Sequence, residues 1–226
     1  MVQPVCLRKA KRSGWRAKLL SLGLLGLMLF VWRAQQNQFS PLLPSSSEQI
    51  APLAMSGGNP YIRALMRTIS ASEANDPSPY TILYGGKHLQ DLSHHPDLCI
   101  PIAVGPNRGD CTTAAGRYQF ITTTWLEKAQ FYHSQASGWW IWRTYSFEPK
   151  YQDQVVYSWL TDSQAWGADI STLLKEGQLN QVLQLLSSTW TSLGYGIEDN
   201  AVTPYLSEIY QQMLAEELAK AHGSQL

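Results

Sequence analysis

The stretch Asn59-Pro60-Tyr61-Ile62-Arg63-Ala64-Leu65-Met66-Arg67-Thr68-Ile69-Ser70-Ala71-Ser72-Glu73 decides how this chain is read. Ile62, Leu65, Met66 and Ile69 recur at i, i+3, i+4 and i+7, the spacing of one apolar helix face. Asn59 can cap the free backbone N–H groups of such a helix. Pro60 at the first helical position gives up only an N–H that has no partner there. The stop comes in Asn75-Asp76-Pro77. Glu73 lies four residues after Ile69, so it continues the apolar stripe into the last turn. Unpaired carbonyls at the helix end and desolvation on the core face both disfavour its charge, and both raise its pKa. A carboxylic acid still protonated near neutral pH can protonate a poor leaving group such as a glycosidic oxygen. The competing reading is a Glu at a frayed helix end with its head in water.

Downstream, Tyr80-Thr81-Ile82-Leu83-Tyr84 and Lys87-His88-Leu89-Gln90 read as two strands of a hairpin, with Gly85-Gly86 supplying the positive φ of the turn. A helix ending in a buried Glu and followed by a small hairpin resembles lysozyme-like muramidases. The resemblance narrows on reading further: Asp91-Leu92-Ser93-His94-His95-Pro96, Thr113-Ala114-Ala115-Gly116-Arg117-Tyr118-Gln119-Phe120, Pro149-Lys150-x-Gln152-Asp153, Trp190-x-Ser192-Leu193 and Gly194-Tyr195-Gly196. In that order these motifs resemble the phage lambda endolysin family of lytic transglycosylases, from Ile62 to the final helix. The family pattern has Gly after its catalytic Glu, where this chain has Ala74.

The resemblance implies an α+β fold, predominantly α and lysozyme-like, with a small β-hairpin lobe. It implies cleavage of the β-1,4 bond between N-acetylmuramic acid and N-acetylglucosamine, with the muramic acid C6 hydroxyl attacking C1 to give a 1,6-anhydro product. Glu73 then matches the family's acid/base residue, and substrate contacts fall to Asp91, His95, Arg117, Tyr118, Gln119 and Tyr195. One acid/base group suffices for that chemistry, whereas ordinary glycosidases need two carboxylates at a defined separation. Asp76 and Asp91 are the nearest candidates for a second carboxylate and read as structural or substrate-orienting. The rivals are a hydrolytic lysozyme on the same fold and a non-catalytic peptidoglycan-binding protein.

Gly116 through Gln119 should lead into a helix carrying Phe120, Ile121 and Trp125. Gly permits close backbone approach, Tyr offers a flat face with a polar tip, and Gln both donates and accepts hydrogen bonds, a set suited to an N-acetyl sugar. Further helices start near Pro149, near Gln178 and after Thr203-Pro204, the last with Tyr205, Ile209, Met213 and Leu214 on its apolar face. The spacing of His88, His94, His95 and Cys99 fits no standard zinc pattern, and no metal or other cofactor is expected. Trp139, Trp140 and Trp142 can stack on glycan or pack beneath a loop.

Charge is unevenly spread along the 226 residues. Arg8, Lys9, Lys11, Arg12, Arg16, Lys18 and Arg33 fall in the first 33 positions, which hold no acid, so the remainder carries a net of −7, ten basic against 17 acidic groups. A nucleic-acid-binding domain would show the opposite sign. Behind the basic cluster, Leu19 to Trp32 is a 14-residue apolar run. That is the form of a secretory leader, with the N-terminus held in the cytoplasm. Residues 1–33 read as a signal anchor in the inner membrane or a cleaved signal peptide, residues 34–58 as a flexible Gln/Ser/Pro linker, and residues 59–222 as the catalytic domain. The expected setting is periplasmic, as a monomer acting on peptidoglycan strands. In that oxidising compartment, Cys99 and Cys111 would pair and restrain the loop between them, which would form a lip of the cleft.

Overall fold

The computed structural model describes residues 50–103, 105, 107–137, 144–196, 198 and 200–223. The leader, the linker up to residue 49 and the three tryptophans at 139, 140 and 142 lie outside the described residues. Among those described, no helix is long and apolar enough to cross a membrane.

Helix α1 (Pro60–Glu73) runs through the centre. Asn59 caps it by accepting from the Tyr61 N–H at 2.9 Å, with Pro60 in the first turn. Ile62, Leu65, Met66 and Ile69 are fully excluded from solvent. At about 1.5 to 3 kcal/mol for each such side chain, this stripe is a main anchor of the core. Burial extends well beyond it, to Arg67, Thr68, Ser70 and Ser72, because helices pack on several sides of α1. Thr68 Oγ1 donates to the Ala64 carbonyl at 2.9 Å, and Arg67 donates to Glu216 at 2.7 Å and Glu217 at 3.1 Å.

Further helices are α2 (Thr122–Tyr132), α3 (Pro149–Thr161), the short α4 (Ser163–Trp166) and α5 (Ile170–Lys175), α6 (Leu179–Leu186) and the long α7 (Leu206–Gly223); α3, α5 and α7 pack on α1, while α2 and α4 pack on α3 and α6 on α5. Helix α7 lies along α1 and enters through a 3-10 turn at Thr203–Tyr205. Of the expected face, Met213 is buried and Ile209 and Leu214 pack partly buried against the core, while Tyr205, in the 3-10 turn, is left exposed; Leu206, Tyr210 and Glu217 complete the buried positions. Asn200 Oδ1 braces this entry, accepting from the Val202 N–H at 2.9 Å and the Thr203 N–H at 3.2 Å.

The β structure is smaller than the sequence suggests, and it sits elsewhere. Strand β1 (Ile100–Pro101) pairs antiparallel with β2 (Cys111–Thr112), and β3 (Ala136–Ser137) with β4 (Thr144–Tyr145). The expected hairpin over 80–90 survives as one bridge, Ile82 to His88, and a reversal at Gly85 and Gly86 with φ of +82° and +88°. Its first strand is cut short because Pro79–Thr81 forms a 3-10 turn that sends the Tyr80 hydroxyl to Asp153, at 2.8 Å. Cys99 and Cys111 are joined by a disulfide, Cα atoms 5.4 Å apart, at the base of the β1–β2 arm.

A second correction concerns residues 50–58. The sequence places them in a flexible linker, yet Leu53 is buried in the core, and buried charged groups grip the backbone of this strap. Asp153 accepts from the N–H groups of Ala54 and Met55 at 2.6 and 3.0 Å. Arg117 donates to the carbonyls of Pro52 and Ala51, Arg67 to Ile50, and Arg63 to Met55 and Gly57.

Candidate active site

Glu73 closes α1 and opens onto a cleft of about 610 Å³, walled by Ser72, Tyr118, Trp190 and Ser192 on the helical side and by Ile102, Asn107 and Thr112 on the β1–β2 arm. Burial raises its pKa from the ordinary 4.5 to about 7; the Ser192 hydrogen bond pulls it down, and the nearby charge of Glu198 pushes it up. The Ser192 hydroxyl donates to Glu73 Oε1 at 2.5 Å. A pKa raised to about 7 lets Glu73 keep its proton near neutral pH, the form that can give a proton to a leaving oxygen.

The structure separates the other expected site residues into two groups. Tyr118 and Gln119 line the cleft with Glu73. Tyr118 itself is fully buried, its hydroxyl donating to Asp153 at 2.7 Å, while its carbonyl accepts from the Trp190 indole at 3.1 Å. Gln119 sits at φ +45° with its amide donating to the Gly116 carbonyl at 2.9 Å. The remaining four lie outside the cleft lining. Arg117 is fully buried, holding the strap and the Tyr80 hydroxyl. His95 is buried behind Phe120, one ring nitrogen 2.8 Å from the Phe120 carbonyl, with its ring edge-on to Phe147. Desolvation lowers its pKa, as suits a neutral buttress. Asp91 is exposed and accepts from the Ser93 N–H at 2.8 Å, closing a turn, and Tyr195 is half exposed.

The segment from Gly116 to Gln119 is itself a turn rather than a helix entry. Ala115 and Phe120 exchange two backbone hydrogen bonds of 3.0 Å across it, and α2 begins only at Thr122. Gly116, at φ +72°, serves packing: an added Cβ would collide with Gln152 and Phe147. Ala74, where the family pattern has Gly, is buried and outside the cleft lining. Sequence reasoning gave no role to Ser192, Glu198 or Asn200, all of which line the cleft. Only Ser192 carried a signal, as part of Trp190-x-Ser192-Leu193. Asp76 lies outside the cleft lining; it accepts from the Ser78 N–H at 2.7 Å and approaches His88 at 3.6 Å, so among the described residues the other carboxylate lining the cleft is Glu198. Among the described residues, no group of three His, Cys, Asp or Glu could hold a metal ion.

An acid whose pKa burial raises, at the end of a buried helix and in a cleft between a helical body and a small β arm, is the arrangement of a lysozyme-like glycosidase. The chain belongs to the endolysin family, whose match spans residues 63–216, and it is a peptidoglycan-cleaving enzyme of that class. Bacteriophage lambda lysozyme complexed with a chitohexasaccharide has the same fold: TM-score 0.51 at 22% identity, over 70% of this chain and 97% of that one. A second structure, lysozyme from bacteriophage lambda, gives a TM-score of 0.45 at 19% identity, over 73% and 96%. A search of curated proteins finds no significant match.

Proposed function

We propose that the enzyme is a lytic transglycosylase that cleaves the bond between N-acetylmuramic acid and N-acetylglucosamine and closes a 1,6-anhydro ring. The observation that carries this reading is Glu73, an acid with a pKa of about 7 whose Oε1 is held by Ser192. A group titrating there can serve first as acid and then as base at neutral pH, which is what a single-carboxyl mechanism asks of it. Asp76 and Asp91, lying outside the cleft lining, leave Glu73 without help from either. The lambda lysozyme of similar fold was captured with a chitohexasaccharide, which supports a glycan chain as the cleft's occupant.

One observation favours the hydrolytic alternative. Glu198 also lines the cleft and could activate a water molecule. Mass spectrometry of the products from purified peptidoglycan separates the two readings. Anhydromuramic ends are expected, and reducing muramic ends in their place would make the protein a hydrolase.

We further propose that the basic, apolar leader exports the domain to the periplasmic side, as a retained anchor or a cleaved peptide, and that it acts there as a monomer. The charge asymmetry of the first 33 residues supports the export.

A further inference from the structure

Two buried serines stand beside the reacting carboxyl, and their hydrogen bonds have a direction. Ser72 Oγ donates to Ser192 Oγ at 2.6 Å, and Ser192 Oγ donates to Glu73 Oε1 at 2.5 Å. A hydroxyl has one proton, so a Ser192 oxygen that accepts from Ser72 has its own proton left for Glu73. The reverse polarity would send the Ser72 proton to the Ser192 carbonyl, a bond of 3.2 Å in place of the 2.6 Å one, and would leave the Glu73 carboxylate, which can only accept, without a donor. The backbone of both serines is pinned as well, since Asn200 Nδ2 donates to the Ser72 carbonyl at 2.8 Å and Thr203 Oγ1 to the Ser192 carbonyl at 2.9 Å. Ser72 and Ser192 are 8% and 7% exposed, so bulk water competes little for these hydroxyls.

We propose that Ser72 and Ser192 form a two-hydroxyl relay that fixes Glu73 Oε1 as an acceptor and assigns both proton transfers to Oε2, with Ser192 as a positioning residue. This rests on the reading of Glu73 as the acid/base group of a glycosidase. Among the described residues, Oε2 accepts no hydrogen bond, so it is the oxygen left for substrate. The Oε2 proton moves to the glycosidic oxygen as the C1–O bond breaks, and the bonding pair leaves with the departing sugar as its hydroxyl. The C6 hydroxyl oxygen then bonds to C1 and gives its proton to Oε2, which restores the acid without water. Ser192 stays a donor to Oε1 throughout and holds the carboxylate formed midway. Among the described residues, the other titratable side chains lining the cleft are Glu198, Tyr84 and Tyr118, the last with its hydroxyl committed to Asp153.

The test is the pH profile of kcat/KM on purified peptidoglycan for the full chain, Ser192→Ala and Ser72→Ala, alongside Glu73→Gln. Ser192→Ala should lower kcat about tenfold and move the alkaline limb upward by about one pH unit, the worth of a hydrogen bond to a charged group. Ser72→Ala should move the limb in the same direction by less, because Ser192 keeps its proton but loses its orientation. A Ser192→Ala limb that coincides with wild type overturns the relay, since a merely structural serine would lower kcat alone. If Ser192→Ala does not fold, the decision falls to Ser72→Ala, whose limb must still move. Activity surviving in Glu73→Gln would instead refute the acid/base reading, whereas an inactive Glu73→Gln with unmoved serine limbs sinks only the relay.

Discussion

The two halves of α1 bury charge in opposite ways. Toward its N-terminus, Arg63 meets Glu217 at 2.6 Å, Arg67 meets Glu216 and Glu217, and both also donate to strap carbonyls. At its C-terminus, Glu73 has one serine hydroxyl, the last carbonyls of its own helix and the repulsion of Glu198. The compensated half contributes to stability, while the under-compensated half holds a proton at neutral pH and can release it. Placing both on one rigid element keeps the reactive carboxyl fixed while its charge state changes.

The largest effect should come from removing the reactive end. Glu73→Gln is expected to lower the cleavage rate by roughly 10² to 10⁴, read as turbidity loss of a peptidoglycan suspension. The same substitution should stabilise the fold, with a definite pH dependence. Below the ordinary value of 4.5, folded and unfolded chains bind the proton alike. As pH rises through about 7, the folded protein must bury a charge that the unfolded chain keeps in water. Urea denaturation should therefore show Glu73→Gln more stable than wild type by about 3 kcal/mol at pH 8, a gap that closes at pH 4. An equal gap at both pH values would mean that Glu73 is not desolvated.

Next comes the strap. A chain beginning at Asn59 strips partners from Arg63, Arg67, Arg117 and Asp153 together, whereas one beginning at Glu48 keeps them. The shorter form should lose well over about 3 kcal/mol against the longer, because unpaired buried charge is costly. Equal urea midpoints would show that the strap is held loosely after all.

Arg67→Met sharpens the contrast within α1. It leaves Glu217 with fewer partners and should cost about 3 to 5 kcal/mol, while the alkaline limb of kcat/KM stays in place. A displaced limb would show that the two halves are not electrically independent. The smallest effect is expected from Glu198→Gln. Removing a negative charge that raises the pKa of Glu73 should shift the alkaline limb downward, and a limb unmoved at low ionic strength would dismiss Glu198 as an influence on the acid.

Much of the helical core was legible because its signals are local. Asn59-Pro60 and Pro149 mark helix starts by capping geometry and fixed φ, and the period of Ile62, Leu65, Met66 and Ile69 points one face inward without reference to any other part of the chain. Glu73 was legible for the same reason, as the next tooth of that period. The sequence by itself thus determined the central helix, its buried face and the acid at its end.

What surrounds the acid was decided only by tertiary structure. Ser192 and Glu198 reach Glu73 from more than a hundred residues away, and no periodicity marks a lone serine or an exposed glutamate as a neighbour of a distant helix end. Arg117 and His95 sit in motifs that look suited to a sugar, yet they turn inward, because the strap's carbonyls and that of Phe120 offer partners only the folded chain can present. The strap itself is polar and aperiodic, which reads as a linker. It is ordered because buried Arg67, Arg117 and Asp153 require its backbone groups as partners.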